Sequence, residues 1–180
     1  MSKIAVLVSG GGSNMQQLIK NGIKLDCIIA DRKCGAEKIA KENNIDFFQF
    51  ERKGISDKVF ELLEKRKIDL VVLAGFLSIL DGKILQKYKN KIINIHPSLL
   101  PKYGGFGMHG MRVHQEVFKN SEKESGCTVH YVNEEVDAGA IIEQERVNIS
   151  SAKSAEEIQK MVLEKEWILL PRVVKKLIEK

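Results

Sequence analysis

Four short apolar runs set the architecture: "KIAVLV" at 3–8, "LDCIIA" at 25–30, "DLVVLAG" at 69–75 and "KIINI" at 91–95. Runs of this length, rich in Ile, Val and Leu, belong to strands buried on both faces. Helical spacing separates them, from Asn14 to about Lys20, in "AEKIAKEN" (36–43), in "SDKVFELLEKRK" (56–67) and near 81–88, while "DFFQF" (46–50) adds a further strand. This alternation predicts an α/β fold: a Rossmann-like, mostly parallel twisted sheet of about seven strands with helices on both faces. After residue 125 the pattern changes. "CTVHYV" (127–132) alternates with period two, and "GAIIEQERVNI" (139–149) follows a short acidic turn, so the last strands are expected to pair antiparallel. The segment 154–180 reads as a closing helix, with Ser154 and Glu157 at capping-box spacing and Pro171 expected to kink or divide it.

The length of 180 residues suits one domain, 1–180, with a phosphate-binding half at 1–90 and a catalytic and folate-binding half at 91–180, the ligand labels resting on the motifs and the resemblance below. The net charge of +5 comes from lysines spread over the helices, with no basic tract interleaved with aromatics, so nucleic acid is not an expected partner. Cys27, Cys34 and Cys127 form no C-x-x-C pair and are odd in number, which favours reduced thiols in a cytoplasmic protein. "MSKIAVLVSGGG" reads as a strand rather than a signal peptide, and no apolar run approaches the roughly 20 residues of a membrane span. A membrane is therefore not an expected partner either.

In open α/β sheets, sites form beyond the carboxyl ends of the strands, here 9–14, 74–80, 94–105 and 133–138. The loop "SGGGSN" (9–14) lets backbone N–H groups turn toward one point at a helix N-terminus, with Ser13 and Asn14 as further donors. A phosphate is the natural guest. A dinucleotide fingerprint needs a third small residue where Met15 stands, although Asp31 near the end of the second strand could serve as its ribose carboxylate. A Walker loop is excluded by the absence of Gly-Lys-Ser/Thr. The alternative without a ligand makes Ser13 an N-cap, with Gln16 closing a capping box.

"NIHPSLLPKYGG" (94–105) places Asn94 and His96 two residues apart, and hence on one face of a strand end. His transfers protons near neutral pH, and Asn donates to a developing oxyanion without changing charge. His109 and His114 lack the spacing of a helical metal pair, and His130 is expected to support the site. "NEEVDAGA" (133–140) supplies Asp137, followed by small residues. Glu134 and Glu135 read as a solvated acidic turn. An ionised Asp137 near His96 favours the imidazolium form.

Taken together, "SGGGSN", "VVLAGF", "NIHPSLLPKYGG" and "VDAGAII" resemble the glycinamide ribonucleotide formyltransferases, folate-dependent enzymes of de novo purine synthesis, from Lys3 to about Pro171. The resemblance implies transfer of a formyl group from 10-formyltetrahydrofolate to the amine of 5-phosphoribosylglycinamide, giving formylglycinamide ribonucleotide and tetrahydrofolate on the route to IMP. It implies a catalytic trio of Asn94, His96 and Asp137, and a substrate phosphate held by Gly11, Gly12, Ser13 and Asn14. Folate contacts fall on Leu77, Ser78, Ile79 and Leu80, on Asn94, and on Asn133, Glu134, Glu135, Val136 and Asp137. Glu166 lies toward the glycinamide substrate, and Thr128 and His130 are supporting residues. No metal is expected, the partners are the two small molecules, and the protein is expected to be a monomer or homodimer. Ser78 stands where many members carry Arg, Trp167 where a His is common, and 103–114 is longer than in some members. Lys53 and Lys58 both remain candidates for a basic residue near the third helix. A formylfolate hydrolase, a formyltransferase with another acceptor and a nucleotide-binding module without chemistry are the competing readings.

Overall fold

The computed structural model describes all residues, Met1–Lys180. In chain order the elements are β1 (Ile4–Val8), α1 (Ser13–Lys20), β2 (Cys27–Ala30), α2 (Ala36–Glu42), β3 (Asp46–Gln49), α3 (Ile55–Arg66), β4 (Leu70–Leu73), α4 (Lys83–Lys87), β5 (Ile92–His96), α5 (Met111–Lys119), β6 (Glu124–Tyr131), β7 (Ile141–Asn148) and α6 (Ala155–Ile178). The seven strands run in the order β3-β2-β1-β4-β5-β6-β7. The pairs β1–β2, β1–β4, β2–β3 and β4–β5 are parallel, and β6–β7 is antiparallel, as the change of period after residue 125 predicts. The chain forms two compact units, Met1–Asn94 and Ile95–Lys180.

In the first unit every residue of β1, β2 and β4 is buried, which explains their unbroken apolar composition. The helices bury one stripe each. On α3 the stripe includes Ile55, Val59 and Leu63, spaced one turn apart. β3, at the end of the strand order, is only half-buried. Arg66, the last residue of α3, bonds Asp26 at 2.5 Å and Asp46 at 2.9 Å, and its guanidinium lies 5.5 Å from the centroid of the Phe48 ring. One planar cation thereby ties three elements at the amino ends of β2 and β3.

Two local expectations are corrected. Ser13 is not an N-cap. Gly12 caps α1 at φ 75°, with no side-chain cap bond, so no capping box forms with Gln16. A left-handed cap residue is cheap only for glycine. Nor does Pro171 divide the closing helix, because α6 runs unbroken through it. Pro171 is buried together with Leu169, Leu170, Val173 and Val174, and that packing outweighs the missing backbone donor. The other end of α6 begins as expected, with Ser154 Oγ accepting from Glu157 N at 3.2 Å. The reciprocal carboxylate bond goes to Lys153 N at 2.7 Å, one residue earlier than in an ideal capping box.

In the second unit, β6 and β7 pair from Glu124↔Asn148 to His130↔Ile141, with an irregularity between Val129 and His130. Arg172 on α6 grips Glu143 and Glu145 of β7, each at 2.7 Å. No helix is long and apolar enough to cross a membrane. Gly126 is required by close approach: a Cβ there falls 2.1 Å from the Glu145 carbonyl oxygen. Gly126→Ala is expected to cost about 2–3 kcal/mol and lower Tm by roughly 5–10 °C. Gly10→Ala, where a Cβ meets nothing within 4 Å, should leave Tm unchanged in the same thermal melts.

Candidate active site

Each parallel strand of the first unit ends in a polar or glycine-bearing segment. β1 runs into Ser9 and the glycines. Gly11 and Ser13 are exposed, Gly12 is buried and Asn14 is half-buried. A Cβ at Gly10 or Gly11 would meet nothing within 4 Å, so neither packing nor a left-handed φ demands glycine at those two positions. Gly12 differs, since a Cβ there would lie 2.8 Å from Met15 Cε.

β2 delivers Asp31, whose side chain is wholly excluded from solvent. Its carboxylate accepts from Ser78 Oγ at 2.6 Å and from Arg32 Nε and Nη2 at 3.0 and 3.2 Å. Burial works against its charge, but the hydrogen bonds from Arg32, Ser78 and Ser9 outweigh burial and hold the carboxyl below its usual range. Both oxygens are thus committed within the protein, which removes Asp31 as a ribose ligand. Beyond β4, the side chains of 77–80 alternate: Leu77 and Ile79 are 40% and 52% exposed, whereas Ser78 and Leu80 are buried. Asn94 on β5 is half-buried.

The second unit gathers three titratable side chains. His96 at the end of β5 is buried, and its Nε2 donates to the Tyr103 carbonyl at 2.8 Å. Its Nδ1 lies 3.6 Å from Asp137 Oδ2. The other carboxylate oxygen, Oδ1, lies 3.7 Å from His130 Nε2. His130 Nδ1 donates to the Tyr131 carbonyl at 2.9 Å, which leaves Nε2 the unprotonated nitrogen of the neutral ring. Gly105 N donates to Asp137 Oδ2 at 3.0 Å. Asp137 takes φ 57°, a left-handed conformation that Asp tolerates better than most residues. The carboxylate is therefore held by a backbone donor and flanked by two imidazoles.

Thr128 braces the segment that carries His96 onward. Its Oγ1 donates to the Ser98 carbonyl at 2.7 Å and accepts from Leu100 N at 3.1 Å and Gln144 Nε2 at 2.9 Å. Asn133 Oδ1 accepts from Glu135 N at 3.0 Å, closing a local turn, and Glu134 and Glu135 are exposed, as expected for a solvated acidic turn. Val136 is half-buried. Glu166 is buried on α6. His109 is exposed.

Several contributors escape a reading of side chains. The Tyr103 carbonyl and Gly105 amide act through the backbone, and only the glycine pair after Tyr103 hints at them. Ser9 and Asp31 lie far from Ser78 in sequence. His114 on α5 is buried, and its Nδ1 has no hydrogen-bond partner. Burial, and secondarily the charge of His96, pull its pKa down to about 4. His130 is also shifted down, chiefly by burial.

Comparison with known proteins follows the same lines. Residues 2–174 match the family model described as formyl transferase. Phosphoribosylglycinamide formyltransferase of Haemophilus influenzae is 39% identical over 97% of this chain and 86% of that protein. The trifunctional purine biosynthetic protein adenosine-3 of Gallus gallus is 37% identical over 94% of this chain, which spans only 18% of that protein. A crystal structure of phosphoribosylglycinamide formyltransferase from Anaplasma phagocytophilum superposes with a TM-score of 0.92 at 34% identity, over 99% of this chain and 87% of that one.

The buried His114 makes stability depend on acid. In the unfolded chain the ring takes up a proton near pH 6.5, whereas in the folded protein it does so only near 4. Its contribution to stability is intact above about 6.5 and is lost as pH falls toward 4, about 3 kcal/mol in all. Denaturant unfolding at about pH 7 and about pH 5 should differ by roughly 2 kcal/mol on this account. His114→Gln should remove that difference, and a variant with an unchanged pH dependence would refute the assignment.

Proposed function

The chain belongs to the formyl transferase family, and from that membership we propose how its residues divide the work of a folate-dependent formyl transfer. The reaction moves the formyl group of 10-formyltetrahydrofolate to the amine of 5-phosphoribosylglycinamide, within de novo purine synthesis. The observation that carries the division of roles is the buried Asp137 carboxylate, 3.6 Å from His96 Nδ1 and 3.0 Å from the Gly105 amide.

The glycinamide amine attacks the formyl carbon and forms the new C–N bond, and the formyl oxygen becomes an oxyanion. Asn94 donates to that oxygen, and His96 in its charged form balances it. Asp137 balances the positive charge on the ring and relays the amine proton, through water, to the departing folate nitrogen as the old C–N bond breaks. In the free protein both nitrogens of His96 have partners, so contact with the formyl oxygen requires the bond from Nε2 to the Tyr103 carbonyl to open. His130, shifted toward neutrality by burial, packs beside the far oxygen of Asp137 at 3.7 Å, and Thr128 braces the 98–100 backbone.

The substrate phosphate takes the backbone and side-chain donors of Gly11, Gly12, Ser13 and Asn14. Open space above Gly10 and Gly11 supports this assignment. The folate uses the backbone of Leu77–Leu80, whose exposed Leu77 and Ile79 suit an apolar ring, together with Asn94 and the Asn133–Asp137 turn. Glu166 serves the glycinamide end. In this reading residues 1–90 hold the phosphate, 91–180 carry the chemistry, and no metal takes part. The protein works in the cytoplasm as a monomer or homodimer, with its three cysteines as free thiols.

Mixing the protein with both substrates and following tetrahydrofolate formation tests the reading. Turnover should require the ribonucleotide. Formate release without it would instead indicate a hydrolase, and tight binding of both with no turnover would indicate a module without chemistry. His96→Ala and Asp137→Ala should each lower kcat by about 10²–10⁴-fold in a folded protein. Ser13→Ala with Asn14→Ala should mainly raise the KM for the ribonucleotide.

A further inference from the structure

Asp31 has no role in the reaction as described, yet it is a fully buried carboxylate at the carboxyl end of β2. Its partners explain more than its own solvation. Ser78 Oγ donates to it at 2.6 Å. Nearby, Ser9 Oγ accepts the Leu77 amide proton at 2.8 Å, and Ser9 N donates to the Gly75 carbonyl at 2.9 Å. The chain from Gly75 to Ser78 lies between β4 and α4 and belongs to neither. It is nevertheless pinned at three points, two by Ser9 and the last by Asp31. The Arg32 fork, at 3.0 and 3.2 Å, neutralises the carboxylate, so Asp31 acts as an anchor without leaving an unbalanced negative charge beside the segment.

A segment outside regular structure, with two exposed apolar side chains, has no ladder to hold its amides in place. We propose that Asp31 is a positioning residue for the co-substrate: through Ser78 it fixes the 77–80 backbone in the conformation that receives the folate, next to the point where Ser9 holds the Leu77 amide. This rests on the reading that 77–80 contacts the folate. It gives Ser78 a function that its hydroxyl performs and that a longer side chain could not perform in the same way. Loss of the Ser78 hydroxyl and loss of the Asp31 charge are both expected to fall on the folate.

Hydrogen exchange of the 77–80 amides, combined with steady-state kinetics, tests the proposal. In the unaltered protein, adding 10-formyltetrahydrofolate should slow exchange at these amides. Ser78→Ala should speed exchange at Leu77 in the free protein and raise the KM for the folate about tenfold, while kcat and the ribonucleotide KM stay within about twofold. Ser78→Thr, which keeps the hydroxyl, should restore the folate KM. Asp31→Asn should likewise raise the folate KM. If Asp31→Asn does not fold, the two Ser78 variants decide. Folate protection in the unaltered protein with unchanged KM and exchange in Ser78→Ala would overturn the anchor while leaving the folate assignment intact. A fall in kcat with no selective change in the folate KM would also overturn it, since general loosening does that. No folate protection at 77–80 in the unaltered protein would overturn the folate assignment and the anchor together.

Discussion

The burial of β1 between β2 and β4 is the constraint on which the first unit rests. Three neighbouring parallel strands without an exposed side chain form the buried centre of this unit, with Ala5 opposite Cys27 and Val71. Register then determines which residues emerge together where the strands stop. Leu7 opposite both Ile29 and Leu73 means that Ser9, Asp31 and Gly75 leave the sheet nearly level. Polar groups that meet at that edge need no long reach. The apolar composition of the strands thus decides the geometry of atoms that are not apolar at all.

The second unit solves a different problem, which is how to give a largely enclosed carboxylate its partners. Oδ2 of Asp137 accepts from the Gly105 amide and lies 3.6 Å from His96 Nδ1, while Oδ1 lies 3.7 Å from His130 Nε2. His130 and His114 are both held toward neutrality by burial, so the cluster does not accumulate positive charge.

Much of this was legible in the amino-acid sequence, for physical reasons that differ from element to element. β1, β2, β4 and β5 announce themselves because strands covered on both sides must be apolar throughout. The β6–β7 pair shows in the switch to period two. Asn94, His96 and Asp137 stand out because their side chains are of the types that donate hydrogen bonds, transfer protons and balance charge. The misreadings share another origin. Ser13 looks like a cap because its side chain is suited to one, but glycine at 12 reaches a backbone conformation that makes the hydroxyl unnecessary. Pro171 looks like a break because propensity is local, whereas the packing that carries α6 through it is not. The Tyr103 carbonyl, the Gly105 amide and the Asp31–Ser78 bond across 47 residues leave no local pattern to read.

The backbone of Asp137, at φ 57°, has a consequence for how the protein could change over time. Asparagine would occupy that conformation with less strain and still accept from the Gly105 amide, so it is a natural stabilising replacement, whereas glycine would fit the backbone but leave that amide unpaired. Either would also erase the negative charge beside two imidazoles. Selection for heat resistance alone therefore pulls this position toward asparagine, and under the role proposed for Asp137 only selection on turnover opposes that pull. On that proposal, an engineering campaign scored by melting temperature would collect asparagine at this one site at the expense of activity.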